Sequence, residues 1–130
     1  MKAVLIIALT IISDTAFAGP INLMCGGTMN QYQPKRIEGT VAPGATVVDL
    51  DQNRIETPVG RFRISTVTDT SISFDDPGKQ LVVFGTLDRL SGAMTVSWRT
   101  AEEDAKMKAN MSAQNSMYAE LQCSASKRLF

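Results

Sequence analysis

Apolar and polar residues alternate with a period of two over much of the chain, and that period predicts strands rather than helices. In Gly60–Val67, Phe62 and Ile64 alternate with Arg61, Arg63 and Ser65, the pattern of a half-buried strand. Thr70–Asp75 repeats it with Ile72 and Phe74. The cleanest alternation lies in Gly92–Thr100, where Met94, Val96 and Trp98 share one face and Thr95, Ser97 and Arg99 the other. Gln80–Leu87 differs, since Leu81, Val83 and Leu87 on one face are matched by Val82 and Phe84 on the other. This predicts a central strand covered on both sides.

Turn residues separate these runs. Asp75-Asp76-Pro77-Gly78 combines a proline that presets φ with a glycine that accepts positive φ. Asp88–Gly92 makes a short link of the hairpin kind, and Asp49–Asn53 joins Ala45–Leu50 to Arg54–Thr57. Consecutive short connections imply antiparallel neighbours. The expected fold is therefore all-β: an antiparallel meander of six to eight strands that removes its edges by closing into a small barrel. A two-sheet sandwich is the alternative. Ala101–Met117 breaks the pattern, being rich in Ala, Glu, Lys and Met, with Glu102 and Lys106, and Asp104 and Lys108, at i, i+4. It predicts a short exposed helix near residues 101–113 with Met107 and Met111 on one face, seating the helix on the barrel end or offering a docking surface. A loose loop is the other reading of this stretch.

The first 18 residues change the compartment. Lys2 precedes an apolar run, Ala3–Ile12, and Ala16-Phe17-Ala18 gives the small-x-small pattern of a signal peptidase site before Gly19-Pro20. Residues 1–18 read as a signal peptide cleaved after Ala18, leaving residues 19–130 as one domain in the periplasm or secreted. The competing reading, a core helix or membrane anchor, is disfavoured by Ser13-Asp14, which interrupts the run short of a span. Cys25 follows Asn22-Leu23-Met24, so it lacks the small residues of a lipoprotein site. Cleavage removes Lys2 and Asp14, one charge of each sign, from 13 basic and 13 acidic residues. The net charge stays at zero, with no basic footprint for nucleic acid or an anionic membrane surface. No membrane span is expected in the mature chain.

Two cysteines, Cys25 and Cys123, stand near the two ends of that domain. In an oxidising compartment an even pair implies a disulfide. A free thiol or a metal-ligating pair is the alternative, and the latter has no histidine to complete it. In Leu23-x-Cys25 and Leu121-x-Cys123 a leucine and a cysteine share a strand face, so the first and last strands are expected to pair or to face each other. The same lack of histidine removes Ser-His, Cys-His and His-metal chemistry. The expectation is a protein that is not an enzyme and uses no cofactor and no metal. Asp75-Asp76 and Asp49-x-Asp51 offer carboxylate pairs, but both sit in turns that favour Asp for local hydrogen bonds. Asp49-x-Asp51-x-Asn53 begins like an EF-hand loop and then fails, with Arg54 where glycine is needed and Gly60 where the bidentate Glu belongs. The terminal Phe130 suits an outer-membrane strand. Arg61, Arg63 and Arg99 on the would-be lipid face, and only one Trp, two Tyr and five Phe for aromatic girdles, argue against that barrel.

Leu23-x-Cys25-x-Gly27, Gly85-Thr-Leu-Asp88-Arg89-x-x-Gly92 and Leu121-x-Cys123 followed by Arg128-Leu-Phe130 together resemble a family of small secreted two-cysteine proteins of rhizobia and related alphaproteobacteria. The resemblance implies a periplasmic or secreted β domain and transfers no site residues. In architecture alone the expected barrel is similar to bacterial lysozyme inhibitors. The function expected is a non-enzymatic binding module of the envelope, whose partner is a protein or a small apolar ligand. Asp75, Asp76, Pro77, Gly78 and Lys79 form the candidate partner loop. The alternative is a structural or stress-related envelope protein with no ligand site.

Overall fold

The computed structural model describes residues 19–76 and 80–126; the proposed signal peptide, Pro77-Gly78-Lys79 and Lys127–Phe130 lie outside them. Eight strands run in chain order: β1 (Ile21–Gln31), β2 (Ile37–Asp49), β3 (Arg54–Thr57), β4 (Gly60–Val67), β5 (Ser71–Asp75), β6 (Leu81–Asp88), β7 (Ala93–Thr100) and β8 (Met117–Ala125). One helix, α1 (Ala101–Lys108), interrupts the meander between β7 and β8. Each strand pairs antiparallel with the next, and β8 returns to β1, so the sheet closes as a barrel. Closure decides between the two expected architectures.

Period two becomes inside and outside. Phe62, Ile64, Ile72, Phe74, Met94, Val96 and Trp98 all enter the core, as their alternation predicts. Phe62 stacks on Phe74 at 5.2 Å between ring centroids and meets Trp98 edge-on at 6.3 Å. Ile55, Val48 and Ala119 complete the filled middle of the barrel. Burial of each large side chain stabilises by about 1.5–3 kcal/mol.

On β6 the expectation of cover on both sides is corrected. Val83 and Leu87 face the core, but Phe84 is 47% exposed on the outer surface. A barrel wall is one layer thick, and no described element packs over the outside of β6 at Phe84. Gly85 has a packing role: its Cα faces Phe74 across the ladder, and a Cβ there would overlap the Phe74 ring.

Cys25 and Cys123 are directly opposite in the β1–β8 register, with Cα atoms 4.1 Å apart, and form a disulfide. Both are buried. The bond fastens the barrel seam, linking residues 98 positions apart.

The helix is shorter than expected. Thr100 caps it, its Oγ1 accepting from the Glu103 N–H at 3.2 Å, and acidic Glu102, Glu103 and Asp104 occupy the first turn, where the helix dipole favours them. Asn110 turns left-handed at φ 57° and ends it. Asp104 pairs with Lys108 at 3.1 Å as the spacing predicts, whereas Lys106 reaches Glu103 at 3.0 Å instead of Glu102. Met111 lies beyond the helix, so it shares no helical face with Met107; both are exposed.

Candidate functional site

The barrel end formed by the start of β1, the end of β2 and the ends of β6 and β8 carries a recess of about 370 Å³. Leu23, Val48, Ile72 and Leu87 line its floor and walls, Ile21 and Leu90 its rim, and Cys123 places the disulfide at its base. Val48, Ile72 and Leu87 are almost fully buried, while Ile21 is 38% and Leu90 81% exposed. The floor is the top layer of the packed core, and the rim is apolar surface left in water.

Two local devices shape this mouth. On β4 the register shifts between Ile64 and Thr66, a bulge at Ser65 that brings Val67 opposite the inward-facing Ile72. Without it the parity set by Phe62 and Ile64 would send Val67 outward. The β6–β7 turn is the second device. The Asp88 carboxylate accepts the N–H groups of Leu90 at 2.8 Å and Ser91 at 2.9 Å, and Gly92 closes the turn at φ 78°. A side chain at Gly92 would run into the Cys123 carbonyl. These bonds, first to the Ser91 N–H and then to the Leu90 N–H, hold the Asp88 carboxyl below its ordinary pKa.

Arg89 ties this turn to its neighbour. Its Nη1 donates to the Thr68 carbonyl at 2.7 Å, and its backbone N–H donates to the Thr70 carbonyl at 2.8 Å. The turn that carries Leu90 is therefore braced against the β4–β5 turn by one side-chain and one backbone hydrogen bond of Arg89. One inward position deeper on β2, opposite Leu23, Thr46 is fully buried and its hydroxyl has no hydrogen-bond partner.

The partner loop predicted from sequence is at the other end of the barrel. Asp75 ends β5 and lies 3.2 Å from Arg63, Asp76 follows it, and Pro77, Gly78 and Lys79 fall outside the described residues. Asp76 borders a second, more open recess with Gln80, Leu81, Val83, Trp98 and Met117. Asp49 serves its turn, accepting the Gln52 N–H at 3.1 Å. Among the described residues no group of three His, Cys, Asp or Glu could hold a metal ion, and no helix is long and apolar enough to cross a membrane.

Sequence reasoning therefore missed the mouth residues Arg89 and Leu90. The signal for both was present in Gly85-Thr-Leu-Asp88-Arg89-x-x-Gly92, which specifies an aromatic notch, an Asp-capped turn, a bracing arginine and a left-handed glycine. Fold and mouth define the class: a closed eight-stranded antiparallel barrel with a disulfide at the seam. Comparison with protein-family models, curated proteins and solved structures finds no match for the chain.

Proposed function

We propose that this protein is an exported, non-enzymatic binding module of the cell envelope that takes a small apolar ligand at the barrel mouth. The carrying observation is the braced apolar recess: a rigid rim with Leu90 81% exposed above Val48, Ile72 and Leu87. Exposed apolar surface arranged as a concavity above a few polar groups is the usual form of a small-molecule site. Export rests on the leader pattern, with which the disulfide agrees.

Titration with a fluorescent apolar probe, N-phenylnaphthylamine, tests this reading. Saturable binding at one probe per protein is expected, weakened at least tenfold, or about 1.4 kcal/mol, by Leu90→Glu, which places a charge on the exposed rim without touching the core. Absence of binding, or binding indifferent to Leu90→Glu, overturns it. The filled middle of the barrel, with Phe62, Phe74 and Trp98 in contact, supports a second reading, a structural envelope protein without a ligand site. That reading takes over if the probe does not bind.

A further inference from the structure

The barrel is closed, yet one of its strands is half unpaired. β2 is 13 residues long and β3 only four, and β3 takes up the ladder only at Val47. The β3–β4 turn reaches no further along β2 than Gly44, where Pro58 stands beside it. From Ile37 to Pro43 the side of β2 away from β1 has no strand partner among the described residues.

The direction of its backbone groups follows from the seam. The Cys123 N–H bonds to the Gly92 carbonyl on the β7 side, so Cys25 and Cys123, with Cα atoms 4.1 Å apart, are a non-hydrogen-bonded pair. Cys25, Gly27, Met29 and Gln31 therefore direct their N–H and C=O groups to β2. Their partners Val41, Gly39 and Ile37 point back to β1. Glu38 and Thr40, the residues between, direct theirs to the free edge. Toward its N-terminal end the regular run stops at the β1–β2 turn, and at the other end Ala42 and Pro43 together oppose Gly26 in a bulge.

The free run Ile37-Glu38-Gly39-Thr40-Val41 is self-complementary. About a two-fold axis at Gly39, Glu38 meets Thr40 of a second copy and Thr40 meets its Glu38, each pair exchanging two backbone hydrogen bonds. Ile37 then lies opposite Val41 on the inner face, where Met29 and Met117 already line an apolar groove. Gly39 meets Gly39 at the closest approach of the two strands, with no side chain between them. No like charges stand directly opposite, since each Glu38 faces a Thr40; Glu38 is also paired to Arg36 of its own chain at 3.1 Å. Ile37, 52% exposed in the single chain, is covered.

We propose that two copies of this protein associate through antiparallel pairing of their β2 edges about Gly39, which joins two barrels into one continuous sheet. The occupant is a second copy, because about Gly39 the edge offers its own complement in hydrogen-bonding parity, apolar pattern and length. The site is at the opposite end from the apolar mouth and is independent of what the mouth binds.

Sedimentation equilibrium of the purified protein from micromolar to millimolar concentration tests the pairing, with circular dichroism and an intact disulfide checked for each variant. A reversible dimer is expected. Thr40→Pro removes only an edge-facing N–H, so it leaves the β1 ladder in place and abolishes the dimer. Register is tested by charge. Thr40→Glu opposes Glu38 of the second copy twice over and raises the dissociation constant about tenfold, whereas Thr40→Lys meets Glu38 and keeps or tightens the dimer. A monomer at every concentration overturns the proposal, and so does a dimer indifferent to Thr40→Pro or equally affected by Glu and Lys at position 40. An edge that captures an extended foreign peptide while the chain stays monomeric overturns self-pairing as well.

Discussion

Single atoms inside the barrel carry separable consequences. The Thr46 hydroxyl is buried without a partner, and a buried polar group in that state costs free energy that its apolar isostere does not. Thr46→Val keeps the shape of the side chain and is expected to raise stability by about 1 kcal/mol, read as an increased urea midpoint at unchanged slope. Gly85 is the converse case. Gly85→Ala inserts a methyl into the volume of the Phe74 ring, so the ring must leave its stack with Phe62. The expected loss is about 1–3 kcal/mol on the same urea measurement. Neither residue announced its role in the sequence, because an inward position is visible from periodicity, while an unpaired hydroxyl or a notch for a ring depends on what stands across the ladder.

At the scale of an element, the β6–β7 turn gives a dependence on acid. Asp88 has its folded pKa below the ordinary value of 3.8. The turn therefore draws its full carboxylate contribution above that value and loses it as pH falls through the lowered folded pKa. As pH falls through the lowered folded pKa, the Leu90 and Ser91 amides are expected to lose protection, measured relative to their intrinsic exchange rate at each pH, ahead of global unfolding, with a weaker response in Asp88→Asn. α1 offers a second test. Thr100→Ala removes its N-cap bond and should cost about 1 kcal/mol, measurable by thermal unfolding.

Legibility differed between elements for physical reasons. β4, β5 and β7 were readable because Phe62 and Ile64, Ile72 and Phe74, and Met94, Val96 and Trp98 each enter the core at every second position, and the turn at Asp88–Gly92 because Asp and Gly have local reasons to be there. β2 was foreseen only from Ala45, although it begins at Ile37. Gly39, Pro43 and Gly44 are residue types that ordinarily interrupt strands, and a bulge at Ala42-Pro43 is what lets the strand run through them. The mouth was hidden for a similar reason: the bulge at Ser65 reverses parity, which no local pattern shows, and Leu90 on a turn looks like an isolated exposed leucine. The candidate partner loop, Asp75–Lys79, was chosen for turn chemistry; Asp75 and Asp76 stand at the barrel end opposite the mouth, and the rest of it lies outside the described residues.

For the molecule as a whole, the disulfide closes a long loop, joining residues 98 positions apart in a chain of 130. Constraint of a loop this long stabilises by roughly 4 to 5 kcal/mol in the chain-entropy account, a large share of the stability of a small domain. Cys25→Ala with Cys123→Ala is expected to lose about that amount in urea unfolding.

The return of β8 to β1 has a bearing on how the chain comes to be folded at all. The first strand has two neighbours, and one of them is the last of the eight strands in chain order. Until β8 arrives, β1 and β7 each present an unsatisfied side, and no order of local hairpin formation finishes the wall. A chain with this wiring keeps an open wall until β8 is in place and becomes cooperative only then. The same wiring sets the pace afterwards: refolding with so distant a final pairing is expected on the millisecond-to-second scale in stopped-flow fluorescence of Trp98. A chain ending before Met117 should show no cooperative transition.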